Sequence, residues 1–302
     1  MNAKQFAILM ILAALWGGSF LFMRVAVPEF GPISLIALRA GIAALFLLPV
    51  MLLLKRPQLH QITPNIKSLI IVAFFNIALP FVLIAYALLQ VTSGVGSVLN
   101  ATTPMFGALI GWLWLRHTLS NSALLGLVLG FIGVFILVGD KLSGHQSYGI
   151  LPIFSALLAT ASYGFAVNYS RETLHGVDSL VIATTTQTFA ALMLLPLAVI
   201  YWPPQTPGLI AWINVTALGI LSTGIAFILY FYLLKQIGAV RLTTVTFYIP
   251  VFGISFGVLL LGEQIGLQML LGAVIIVCGT MLSSGFWAIR RLERQYKQQM
   301  DQ

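Results

Sequence analysis

The chain has 302 residues, of which 60% are hydrophobic and only 7% charged. A soluble globular domain, where roughly a quarter of the residues are charged, is excluded. The net charge of +8 would suit nucleic acid, but the basic residues are scattered in short gaps between apolar runs, so a nucleic-acid partner is not expected.

Apolar runs of about twenty residues recur along the whole length, enough to cross a hydrocarbon layer of roughly 30 Å. The sequence predicts ten spans, at 6–25, 32–54, 67–89, 94–115, 122–139, 149–170, 179–202, 209–234, 239–261 and 266–288. The first follows Lys4 and lacks a small-residue cleavage site, so it reads as a mature helix rather than a signal peptide. Trp16 and Ser19 lie near its middle. After a tight turn at Val27–Pro32, the second span carries Arg39 roughly 10 Å inside its outer end. An unpaired arginine at such a depth costs at least ~2.5 kcal/mol on insertion scales. Arg39 either faces the bundle, as a structural contact or toward an anionic solute group, or stretches its stem to the interface.

The basic loop Arg56–Asn65 leads to the third span, with Asn76 near its centre. In the fourth, Asn100, Thr102 and Thr103 precede Pro104, and Gly107 and Gly111 follow. The fifth carries Gly126, Gly130 and Gly133, and a polar linker follows at residues 139–147. Tyr163 lies in the sixth span and the polar run Thr184–Thr188 in the seventh, where hydroxyls are expected to bond back to their own helix. The ninth repeats the pattern of the fourth: Thr243, Thr244, Thr246 and Tyr248, then Pro250, Gly253 and Gly257. Glu263 opens the next turn. Cys278, the one cysteine, is expected to be a small packing residue in the tenth span, and no intrachain disulfide can form.

The second half of the chain repeats the first. At an offset of 146, Tyr86–Leu137 aligns without a gap on Tyr232–Ser283, pairing Gly107 with Gly253, Gly126 with Gly272 and Gly133 with Gly279. At 147, Gly17 pairs with Gly164, Arg24 with Arg171 and Pro49 with Pro196. Five crossings per copy is an odd number, so the second copy must enter the bilayer upside down. The expected fold is an all-α integral membrane bundle of ten transmembrane helices, built as two inverted five-helix repeats at 1–141 and 142–289 with a basic tail at 290–302. Inverted repeats of this kind mark carriers that alternate access around a central site.

Proline interrupts the helical ladder, and small residues four apart let helices approach closely. The mirrored Pro104/Gly107/Gly111 and Pro250/Gly253/Gly257 sets are therefore read as hinged helices lining that site, with helix packing as the alternative. Lys4, Lys55, Arg56, Lys67, Arg116, Arg171, Lys235, Arg241 and the tail Arg290–Lys297 fall on one side of the membrane when loops are numbered alternately, and Arg24 and Lys141 on the other. That side is cytoplasmic by the positive-inside rule, which places both termini there, in a cell inner (plasma) membrane. The tail is expected to meet anionic lipid headgroups.

These features resemble the drug/metabolite transporter superfamily, in its EamA-like ten-helix family. The resemblance rests on Leu15-Trp16-Gly17-Gly18-Ser19-Phe20, Leu38-Arg39-Ala40, the two prolines, Leu261-Gly262-Glu263-Gln264, and Leu271-Gly272-Ala273 with Gly279. It implies a solute cavity lined by the first, third, fourth, sixth, eighth and ninth helices, and export of a small metabolite such as an amino acid or related compound. The second Gly-Glu pair common in the family is replaced here by Arg116-His117, so a role for it carries only to Glu263, read as capping or gating.

The expected lining is Trp16, Ser19, Asn76, Asn100, Thr103, Tyr163 and Thr246: amides and hydroxyls for a polar solute, aromatic faces for its apolar or cationic part. Interhelical hydrogen bonding is the plainer use of the same groups. No His, Cys or carboxylate cluster suggests a metal, a cofactor or catalysis, so an enzyme is not expected. No Asp or Glu is predicted at mid-span, which favours facilitated transport over strong proton coupling; a channel-like facilitator and a proton-coupled antiporter are the alternatives. The molecule is expected as a monomer or homodimer.

Overall fold

The computed structural model describes residues 1–142 and 149–284. Most of the predicted polar linker and the whole basic tail lie outside the described residues. Among the described residues the structure is helical, with no strand. Seven helices are long and apolar enough to cross a membrane: α1 Ala3–Leu54, α2 Ile66–Leu88, α3 Ser93–Leu115, α4 Asn121–Gly139, α5 Leu151–Thr173, α6 Ser179–Ile200 and α7 Leu209–Gly238. Two shorter apolar helices follow, α8 Val245–Leu261 and α9 Leu267–Ser283.

A straight α1 of 52 residues would be ~78 Å long, far more than a bilayer core. It is not straight. Gly31 has φ 70° and ψ 161°, a backbone state that a side chain disfavours. Pro28 and Pro32 flank it. Arg39 Nη1 lies 3.6 Å from Met23 Sδ, whereas sixteen residues of unbroken helix would separate them by ~24 Å. The chain therefore doubles back, and α1 is two arms, 3–30 and 32–54. Gly238, φ 77°, breaks the end of α7 in the same way.

Close helix contacts occur where the sequence has glycine. A Cβ on Gly17 would sit 2.6 Å from Phe252 Cβ and 3.0 Å from Gly253 N, so the first arm of α1 touches α8 backbone to backbone. Gly164 of α5 makes the corresponding approach to α3, 2.7 Å from Gly107 N. Helices α4 and α9 meet through Gly126 against Gly279 and Gly133 against Gly272 and Ile276. As α4 advances, its partners on α9 recede, so the two helices cross antiparallel. The small faces of these helices pack within the chain. Cys278 is on the outer face of α9, exposed, which corrects its expected packing role: the interior face belongs to Gly272, Ile276 and Gly279.

Other local features recur at the sequence offset. Residues Phe74–Ala78 of α2 and Ile220–Ile225 of α7 form π-helical turns that start 146 residues apart. Helices α3 and α8 both end in a left-handed residue, Arg116 (φ 56°) and Gly262 (φ 66°). In both, the next N–H returns to the carbonyl of a glycine, His117 to Gly111 and Glu263 to Gly257.

Candidate functional site

Helix α3 carries the first part of the site. Its ladder is interrupted at Ala101–Thr102, just before Pro104. Pro104 has no N–H and its ring crowds the carbonyl four residues back. That carbonyl, of Asn100, accepts from Thr103 Oγ1 at 2.8 Å. The Ala101 carbonyl accepts from Thr280 Oγ1 of α9 at 2.8 Å, so the break is held from outside the helix. In α8 the turn comes earlier relative to its proline: the helix restarts at Val245, after Thr243–Thr244, and runs through Pro250. The mirrored prolines are thus in unlike local settings.

The expected lining residues divide by what their polar atoms do. Ser19, 6% exposed, donates to its own helix at Trp16 O, 2.6 Å. Thr103 donates to Asn100 O and Thr246 to Thr243 O, both at 2.8 Å. These three hydroxyls retain only accepting capacity. Asn76, in the π-turn of α2, and Asn100, at the break in α3, are half-buried. Among the described residues their side-chain amides make no hydrogen bond, and each is left to meet a solute or water.

The aromatic members gather neighbours that the sequence did not flag. Trp16 stacks obliquely on Tyr230, ring centres 5.6 Å apart. Tyr163 meets the edge of Phe81 at 5.9 Å. Trp16, Tyr163 and Phe81 are all partly buried against the same apolar core. No hydrogen bond or ring contact among the described residues joins Asn76, Asn100 or Thr246 to this aromatic group.

Arg39 is buried at 4% exposure and does not reach the interface. Its Nε donates to Thr223 Oγ1 at 3.1 Å, and its Cζ lies 3.6 Å above the Phe81 ring. Thr223 sits in the π-turn of α7, where its own hydroxyl donates to Leu218 O at 2.9 Å. The register of that turn brings a threonine lone pair to the guanidinium.

Glu263 does not cap the helix that follows it. It reaches the start of α3, accepting Ser93 N at 2.7 Å, Ser93 Oγ at 2.9 Å and Gly94 N at 3.2 Å. Thr92 Oγ1 accepts Val95 N. The free N–H groups that open any helix are here satisfied by a residue 170 positions away.

Three features escaped sequence reasoning. Asn168, 5% exposed, donates to both Gly107 O and Gly164 O at 2.9 Å and ties the α3–α5 glycine contact together. Its position one turn after Gly164 was the available signal. Thr186 and Thr188 bond back to their own helix, but Thr184 Oγ1, both amide atoms of Gln187 and Ser222 Oγ are buried without a partner among the described residues. An ion pair joins Lys55 to Asp178 at 2.6 Å. A groove of about 490 Å³ on α7, lined by Leu209, Trp212, Ile213 and Thr216 among others, contains none of the site residues. Its apolar walls suit a lipid chain better than a polar solute.

Known proteins resemble this chain over nearly its whole length. The profile of the EamA-like transporter family matches residues 5–139 and again 150–285. An uncharacterized transporter of Bacillus subtilis (strain 168), YoaV, is 27% identical over 92% of this chain and 96% of its own. A probable amino-acid metabolite efflux pump of Escherichia coli (strain K12) is 24% identical over 94% and 95%. A solved crystal structure superposes with a TM-score of 0.66 at 21% identity, covering 97% of this chain and all of that one; at that identity it speaks to the fold alone.

Proposed function

The chain belongs to the EamA-like transporter family, and on that premise we propose that it carries an amino acid or related small metabolite outward across a bacterial inner membrane. Ten crossings in two inverted halves are the architecture of this reading, with the arms of α1 as two of the ten. Support comes above all from the crossing of α4 and α9. Gly126 meets Gly279, and Gly133 meets Gly272; in sequence Gly126 is the counterpart of Gly272, and Gly133 of Gly279. Equivalent helices that cross antiparallel with exchanged equivalents are what a two-fold axis in the membrane plane would produce.

The carrier works by rocking the halves about a site near Trp16, Asn76, Asn100 and Tyr163, with α3 and α8 as moving walls. Amides and aromatic faces bind the solute; Ser19, Thr103 and Thr246 serve as acceptors at most. The four acidic residues with described side chains, Glu29, Glu172, Asp178 and Glu263, stand at helix ends. Transport is accordingly facilitated rather than proton-driven. Counterflow of radiolabelled L-threonine and L-phenylalanine into proteoliposomes tests this. Saturable exchange that Trp16→Ala or Asn100→Ala lowers about tenfold, at unchanged protein yield, is expected. Flux linear to high concentration would favour a pore, and uphill uptake on an imposed pH gradient would overturn the facilitated mechanism.

A further inference from the structure

Arg39 has neutral neighbours on every contact that the structure gives it. Its guanidinium meets the Thr223 hydroxyl, the Met23 thioether and the face of Phe81. Among the described residues the one ion pair is Lys55–Asp178. The acids that could answer a buried cation are engaged elsewhere: Glu263 on the start of α3, Glu29 on Gly208 N, and Asp178 with Lys55. Glu172 is exposed at the end of α5. A guanidinium offers five N–H donors in a flat fork. Arg39 uses Nε on Thr223 and turns Nη1 to a weak sulfur acceptor, and Nη2 donates to no group among the described residues.

A buried, uncompensated charge is costly in any low-dielectric interior. It is retained here in an orientation fixed twice, by the π-turn threonine and by the aromatic face. Phe81, which carries the guanidinium, contacts Tyr163, one of the aromatic residues assigned above to the solute site. The position therefore joins a fixed positive charge, free donors and an aromatic wall.

We propose that Arg39 is the anchor for a carboxylate on the transported solute, and that this transporter selects small monocarboxylates, amino acids among them, over their neutral amides and over amines. This deepens the carrier reading above and rests on it for the position of the solute. The carboxylate supplies both the missing charge and two oxygen acceptors matched to the fork. Phe81 and Tyr163 receive the apolar body beside it.

The test compares matched probes on the purified full chain: L-phenylalanine and 3-phenylpropionate as carboxylates, L-phenylalaninamide and phenethylamine without one. The two acids are expected to raise the apparent unfolding temperature of the wild-type protein and the other two to leave it unchanged, since a ligand that binds only the folded form stabilises it. Arg39→Gln should abolish the response. Arg39→Lys, which keeps the charge but not the fork, should retain the preference at about tenfold higher ligand concentration. Equal responses to acid and amide, or a full acid response in Arg39→Gln, would overturn the proposal. If Arg39→Gln does not fold, the wild-type comparison and Arg39→Lys still decide, because loss of carboxylate preference in Arg39→Lys contradicts a charge-based site. Counterflow separates the two readings. Exchange that ignores the carboxylate leaves the carrier standing and removes the anchor; carboxylate-selective stabilisation without exchange does the reverse.

Discussion

Glu263 shows how much a single side chain can decide. Its sequence context, after the left-handed Gly262, suggested a helix-terminal acid, and it is one, but for a helix from the other half of the chain. Oriented N–H groups and the positive end of the helix dipole favour a carboxylate there. Removing such a cap costs about 1–2 kcal/mol. Glu263→Ala should lower the unfolding free energy by that amount, read as a reduced melting midpoint in detergent, with Glu263→Gln losing less because it keeps one acceptor. Asp178 provides a pH-dependent counterpart just outside α6. Partial burial alone would raise its pKa, but the Lys55 hydrogen bond, the Leu180 N–H, the Lys55 charge and the Val181 N–H together hold it below the usual carboxylate range. A depressed carboxyl stabilises the fold fully above its unfolded pKa of about 4 and ceases to do so as pH falls through the lower folded value. Thermal midpoints should therefore drop on acidification below about pH 4, by less in Asp178→Asn than in the parent.

Among helices, the glycines matter more than the prolines. A Cβ on Gly279 would lie 2.6 Å from Gly130 N and 2.7 Å from Gly126 O, both backbone atoms that cannot move aside. Gly279→Leu should force α4 and α9 apart and destabilise by about 2–3 kcal/mol. Gly149→Ala, where none of the described residues lies within 4 Å, is the control and should be neutral in the same melting assay. These contacts were legible because small-residue spacing has a direct packing consequence in lipid. The proline sets were only partly legible. Pro104 follows a break in α3 and Pro250 lies inside a continuous α8, so identical residues give different local geometry. In α3 the freed Ala101 carbonyl is held by Thr280, far away in sequence.

Across the whole molecule, an inverted duplication has a consequence that parallel duplication lacks: equivalent loops end on opposite faces of the membrane. Glu29 and His175 occupy equivalent turns near the left-handed Gly31 and Gly176. With Cys278 replaced by serine, single cysteines at Glu29 and His175 should react with an impermeant maleimide from opposite sides of sealed vesicles. Labelling from one side would exclude the inverted arrangement.

Residue order by itself determined the apolar, helical membrane class, because bilayer thickness and helical rise turn hydropathy directly into crossings; ten spans in two repeats are what it predicts. It also placed Trp16, Asn76, Asn100 and Tyr163 near mid-span. Tertiary structure decided which polar atoms are free. Ser19, Thr103 and Thr246 turn to carbonyls of their own helices, whereas Asn76 and Asn100 do not. It also decided that Arg39 lies on Phe81 beside Thr223, that Asn168 bridges two glycine carbonyls, and that Glu263 caps α3. Each of these joins residues brought together only by packing, and a side chain's hydrogen-bond partner, unlike its depth, has no period in the sequence.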